Sequence, residues 1–185
     1  MSQFEIQSEQ TIPYFDHDKK LSKTIANSSA RRNMSPIRFA IRKIRNTILS
    51  RMAERCPFNS LRVKMHRKRG VHIGNNVYIG QRCILDNAYP EFIYIEDNVS
   101  LAGGVTVIAH ANPYKHFENV IASTVAPIVV SEGAWVGVKA ILLKGVVIGK
   151  KSIISAGTVV DRDVPDYTIA KGNPMKILTN FESIL

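Results

Sequence analysis

The chain has 185 residues, 45% of them hydrophobic, which is enough for one domain with a buried core and too many for a chain that stays unfolded. It has no apolar run long enough to cross a bilayer, and its first residues, MSQFEIQSEQ, lack the basic-then-apolar layout of a secretory leader. The net charge of +10 sits at one end: residues 1–70 hold 16 Lys+Arg and 5 Asp+Glu, residues 71–185 hold 9 and 10.

Residues 1–34 are polar and weakly patterned, and read as a loosely ordered segment. Ser35-Pro36 has the form of a helix start, with Ser as cap and Pro at the first helical position. Ile37, Ile41, Ile44, Ile48 and Met52 follow at helical spacing, with Arg38, Arg42, Lys43 and Arg45 largely on other faces; the helix is expected to end before Pro57. A second basic stretch, Leu61 to Arg69, completes a basic amphipathic helical segment over residues 35–69. Nucleic acid is not expected as its partner, because no aromatics are interleaved to stack bases. Peripheral contact with an anionic membrane, or packing on the body of the protein, remain as its readings. The cysteines, Cys56 and Cys83, fit no metal spacing or disulfide framework, so the expected setting is cytoplasmic, at the inner face of a membrane if the basic segment binds one.

From Val71 the pattern changes to a period of six, the mark of a β-solenoid. The first positions are Ile73, Ile79, Leu85, Ile95, Leu101, Val107, Val130, Val136, Leu142, Ile148, Ile154 and Val160, all of them Ile, Leu or Val. The fifth positions, such as Val77, Cys83, Val99, Val105, Ala134 and Ala140, are small or β-branched; Tyr89 and Ala111 stand out. A fifth residue and the next first residue are two apart, so in a strand they point the same way. Three units, or 18 residues, then close a triangular coil, and coils stack into a prism. Second positions are often Gly, Ser, Ala, Asp or Glu and are read as the corners, with Ile108 and Leu143 as exceptions. A β-sandwich does not hold such a period. The period leaves handedness open. The repeat body spans 70–165, interrupted by a slip after Leu85 and by a protruding loop at about 108–127; residues 166–185 form a C-terminal loop and tail.

These units, and above all the run AWVGVKAILLKGVVIGKKSIISAGTVVDRDVP followed by TIAKGNPMK, resemble the bacterial hexapeptide-repeat acyltransferases. They resemble in particular the galactoside, maltose and exopolysaccharide O-acetyltransferases, and the resemblance covers roughly residues 70–178. It implies an all-β fold, a left-handed parallel β-helix forming a triangular prism, preceded here by the basic helical segment. It implies a homotrimer that moves an acetyl group from acetyl-CoA to a sugar or polysaccharide hydroxyl, with no metal and no covalent intermediate. In the family a histidine on the long loop is the general base, which places the role on His110, with His116 as second candidate. An imidazole suits the task because its usual pKa lies near neutral pH.

The resemblance also implies that Asp86 and Asn87, on the first irregular loop, meet the acceptor or, for a carboxylate, hold the histidine ring; His116 is a further acceptor contact. Trp135 and Gly137 match the family's W-x-G step along the pantetheine groove, and Ala156 and Gly157 match positions whose backbone meets the pantetheine amides. Arg162 matches a basic residue near the coenzyme phosphates, although Asp161 stands beside it in place of the usual Thr. Lys171 and Lys176, flanking Gly172, Asn173 and Pro174, are suited to the same phosphates. Two other readings fit the prism. One is a non-catalytic trimeric scaffold with a membrane-binding arm. The other is a γ-type carbonic anhydrase, for which His72, His110 and His116 supply the number of zinc ligands but not the spacing. His66, in a charge run, and His17 are assigned no role.

Overall fold

The computed structural model describes residues 2–15, 25, 29 and 34–182. After a short strand β1 (Gln10–Thr11), two helices, α1 (Pro36–Arg55) and α2 (Asn59–Arg69), precede the repeat body. Ser35 caps α1, its side-chain oxygen accepting the Arg38 N–H at 3.3 Å, and Gly70 ends α2 in the left-handed region at φ 109°.

The body is built from four coils of three short strands. Coil one holds β2 (His72–Ile73), β3 (Tyr78–Ile79) and β4 (Ile84–Leu85); coil two holds β5 (Ile93–Ile95), β6 (Ser100–Leu101) and β7 (Thr106–Val107). A loop bearing β8 (His110–Ala111) and β9 (Thr124–Val125) then leaves the body. Coil three resumes with β10 (Ile128–Val130), β11 (Trp135–Val136) and β12 (Ile141–Leu142), and coil four with β13 (Val147–Ile148), β14 (Ile153–Ile154) and β15 (Val159–Val160). Each strand pairs in parallel with its counterpart one coil on: β2-β5-β10-β13, β3-β6-β11-β14 and β4-β7-β12-β15 form the three faces. First-position residues meet in register, Ile79 with Leu101 with Val136 with Ile154, and all four are buried. This stack of aliphatic rows along the prism axis is the core.

The corners differ from the expectation in one respect. The left-handed backbone falls at the fourth position of a unit: Asn76, Arg82, Asn98, Gly104, Gly133, Lys139, Gly145, Lys151 and Gly157 all have positive φ. Second-position glycines serve close approach between coils instead. A methyl on Gly137 would sit 2.6 Å from the Ala156 backbone nitrogen, and one on Gly80 would sit 2.5 Å from that of Gly103.

Three further corrections concern the attachments. Within the 1–34 segment, residues 2–15 lie against the body: β1 adds antiparallel to β9, Ile12 is buried, and the Gln7 N–H donates to the Tyr94 hydroxyl at 3.1 Å; apart from residues 25, 29 and 34, the rest of that segment lies outside the described residues. The open edge of β9 accepts a strand whose polar composition gives no sign of it. The C-terminal segment is more than a loop: β16 (Thr168–Lys171) extends the second face in parallel, and β17 (Lys176–Asn180) folds back antiparallel on it. Finally, α2 turns much of its basic character inward. Coil one has no earlier coil to receive its carbonyls, and arginines supply the donors: Arg67 to Ile73 and Gly74, Arg62 to Ile79 at 2.6 Å, and Arg69 to Leu85 and Asp86 at 2.9 and 2.8 Å. Asn59 donates to the Val77 carbonyl and accepts the Ile79 N–H, both at 2.9 Å, as a neighbouring strand would. Arg62, His66 and Arg69 are buried as a result, so the charge run around His66 is in part a lid on the prism.

Candidate active site

The loops after β4 and after β7 leave the same corner of successive coils, because Leu85 pairs with Val107. Asp86 and His110 therefore meet although 24 residues apart. The His110 Nδ1 lies 2.5 Å from Asp86 Oδ2, and the carboxylate also accepts backbone N–H groups from Ala88 and Tyr89 on Oδ1 and from Ala109 on Oδ2. With Nδ1–H donating to Asp86, the other ring nitrogen, Nε2, is left as the basic atom. The His110 side chain is 27% exposed and that of Asp86 is 1% exposed, so one partner reaches solvent and the other is fixed behind it. Burial acts to raise the Asp86 carboxyl, but the bonds from His110 and from the Tyr89 and Ala88 N–H groups outweigh it, and its pKa lies below the usual carboxylate value. Of the two roles expected for Asp86 this geometry serves the ring. An acceptor contact is closed to it, because its oxygens are enclosed.

Two side chains that sequence reasoning did not place belong here. The Tyr89 ring, an outlier in the repeat, stands 5.4 Å from the His110 ring. Arg69 donates to the Asp86 carbonyl and, at 3.3 Å, to the Asn87 side-chain oxygen, tying the lid helix to the Asp86 loop; its basicity falls to about 10 through burial, partly offset by Asp86 and Glu54. Asn87 is exposed beside the pair, its amide donating to the Thr47 hydroxyl at 3.1 Å. His116 lies farther along the loop in a one-turn helix, between the rings of Tyr114 and Phe117. His72 stacks on Tyr94 at 4.5 Å on the first face. The three histidines weighed for zinc thus occupy three separate places.

The residues expected to hold the coenzyme sit elsewhere on the prism. Trp135 is exposed on the second face, and the corner after it stacks Gly137 and Val138 on Ala156 and Gly157: Gly137 N–H donates to Ile154 O and Gly157 N–H to Val138 O. Above Gly157 there is open space. Arg162 donates to the Met175 carbonyl at 2.6 Å and approaches Asp161 at 3.4 Å; Lys171 and Lys176, opposite each other at the β16–β17 turn, are exposed. Trp135, Gly137, Ala156, Gly157 and the Lys171–Lys176 turn lie on the second face and at the corner after it, whereas His110 and Arg162 follow the third-face strands β7 and β15, at the corner between the third face and the first.

Residues 70–109 and 127–162 match the hexapeptide repeat of succinyl-transferase. The prism is a hexapeptide-repeat prism. The galactoside O-acetyltransferase of Escherichia coli K12 is 30% identical over 109 residues, covering 58% of this chain and 53% of that protein. The chain spans about half the length of several of the curated relatives it matches. Among solved structures, a hexapeptide-repeat acetyltransferase of Vibrio cholerae complexed with acetyl-coenzyme A superposes with a TM-score of 0.61 at 20% identity, over 78% of this chain and 90% of that one. A maltose O-acetyltransferase of Clostridium difficile 630 superposes at 0.58 with 23% identity, over 76% and 87%. These likenesses carry the fold, the left-handed β-helix of hexapeptide-repeat acetyltransferases, to this chain. The single gap between the matched stretches, residues 110–126, coincides with the loop that bears His110 and His116, and the match ends before the terminal hairpin.

Proposed function

We propose that the protein is an acetyl-CoA-dependent O-acetyltransferase acting on a sugar or polysaccharide hydroxyl, with His110 as general base and Asp86 as the group that positions it. The observation that carries this reading is the Asp86–His110 pair, with one nitrogen bound to a buried carboxylate and the other available. In the proposed step Nε2 takes the proton of the acceptor hydroxyl as its oxygen attacks the thioester carbon. The carbon–sulfur bond of the tetrahedral intermediate then breaks, and the imidazolium returns the proton to the leaving thiolate. Products are the acetyl ester and free coenzyme A. The Asp86 carboxylate stabilises the imidazolium that forms in between. Asn87, exposed beside the pair, is the acceptor contact in this reading.

The separation of the two corners supports a homotrimer. His110 of one prism faces the groove that Trp135, Gly137, Ala156 and Gly157 of a neighbour would line, with Arg162, Lys171 and Lys176 toward the coenzyme phosphates. The names of the relatives, galactoside and maltose O-acetyltransferase, favour a carbohydrate acceptor. The test is thiol release from acetyl-CoA across a panel of free sugars, nucleotide sugars, oligosaccharides and amines. Release above the hydrolysis background with one class identifies the acceptor; activity toward amines alone would overturn the O-acyl assignment.

A further inference from the structure

Helix α1 faces the wrong way for an ordinary surface helix. Its prism side carries Asn46, Ser50 and Ala53, all buried, while its apolar row looks outward. Ile37, Ile41, Ile44 and Ile48 are 74, 61, 62 and 52% exposed, and Met52 is 56% exposed. The row is continuous and about 22 Å long at the helical rise. Near its end it opens into a groove of about 780 Å³ between α1 and α2, with Leu49, Leu61 and Met65 among its walls. The charged residues of that groove, Arg51, Arg55, Lys64 and Lys68, are all basic. An exposed apolar surface of this extent marks a place that another body covers.

Charge decides which body. Residues 36–69 hold 11 Lys+Arg and a single acid, Glu54, whose carboxylate accepts from Ser50 on the prism side. A second copy of this face would set like charge on like charge, whereas an anionic lipid surface complements both the aliphatic row and its basic border. None of the described helices is long and apolar enough to cross a membrane. We infer that α1 lies in the plane of an anionic bilayer surface, its isoleucine row at the acyl boundary and Arg38, Arg45, Arg51 and Arg55 at the lipid phosphates. The α1–α2 groove takes the acyl chain of a lipid whose headgroup the basic rim holds. This placement stands apart from the acyl-transfer reading and needs none of its residues.

The experiment is flotation of the full-length protein with phosphatidylcholine vesicles, with and without phosphatidylglycerol, at low and high salt. Binding is expected only to the anionic vesicles and weakens with salt. Replacing Ile41, Ile44 and Ile48 together by Ser should reduce the bound fraction roughly tenfold or more. Folding should be unaffected, as checked by circular dichroism, because these side chains contact water in the folded chain. Replacing Arg51, Arg55, Lys64 and Lys68 by Gln should remove the preference for anionic vesicles. Equal binding of the triple variant and the native protein would overturn the inference. So would a native protein that ignores anionic vesicles while the triple variant changes assembly state, which would assign the row to contacts between copies.

Discussion

At the scale of single residues, the site depends on one carboxylate being enclosed and one imidazole remaining open, a distinction that residue type alone does not carry. His110 and Asp86 were both legible in the sequence, as the histidine at the start of the long loop and the acid at the start of the short one. Their contact was expected only through the family resemblance, as one of two roles for Asp86; spacing alone does not show it, because it follows from Leu85 and Val107 stacking in register across an interval that includes a four-residue slip. His66 is the opposite case. A charge run hides it in the sequence, yet it is buried against Arg69, and burial first, then Arg69 and Arg62, lower its pKa to about 3. The folded chain keeps this ring neutral where the unfolded chain, near 6.5, accepts a proton. The stabilisation is complete above pH 6.5 and is lost as pH falls toward 3. Urea unfolding at descending pH should therefore show stability falling by up to about 1.4 kcal/mol per pH unit below that point. In His66→Gln the fall should start later, where carboxylates such as Asp86 begin to take protons. The same profile in both proteins would show that the ring is not held neutral.

Among the elements, the period of six revealed strand order, inward positions and the existence of both loops, because an aliphatic row is a direct consequence of coils stacking on themselves. The corner chemistry was misread by two positions, since a glycine in sequence does not say whether it serves a left-handed turn or a near neighbour. Gly137 and Gly157 separate the two demands. Gly137→Ala puts a methyl against the backbone of the next coil and should cost more than about 3 kcal/mol or prevent folding. Gly157→Ala has open space and pays only for its φ of 69°, about 1–2 kcal/mol. Thermal unfolding of the two variants compares them directly, and equal losses would contradict the assignment. The lid formed by α2 was not legible either. An arginine that donates to backbone carbonyls and one that is solvated look the same in a sequence, and only the unpaired edge of coil one distinguishes them.

For the molecule as a whole, the proposed base His110 at one corner and the proposed coenzyme contacts Trp135, Gly137, Ala156 and Gly157 at another give assembly a functional meaning. Light scattering should give three times 20.6 kDa. A monomer that still turns over would contradict a groove shared between copies. The most direct measurement of the central claim compares acetyl-CoA-dependent thiol release by the native protein and by His110→Ala, His116→Ala and Asp86→Asn, on the same acceptor and at the same assembly state. His110→Ala should lose roughly 10²–10⁴-fold in kcat with little change in coenzyme A affinity, Asp86→Asn a smaller part of that, and His116→Ala little. Full activity in His110→Ala, with fold and assembly intact, would contradict the account.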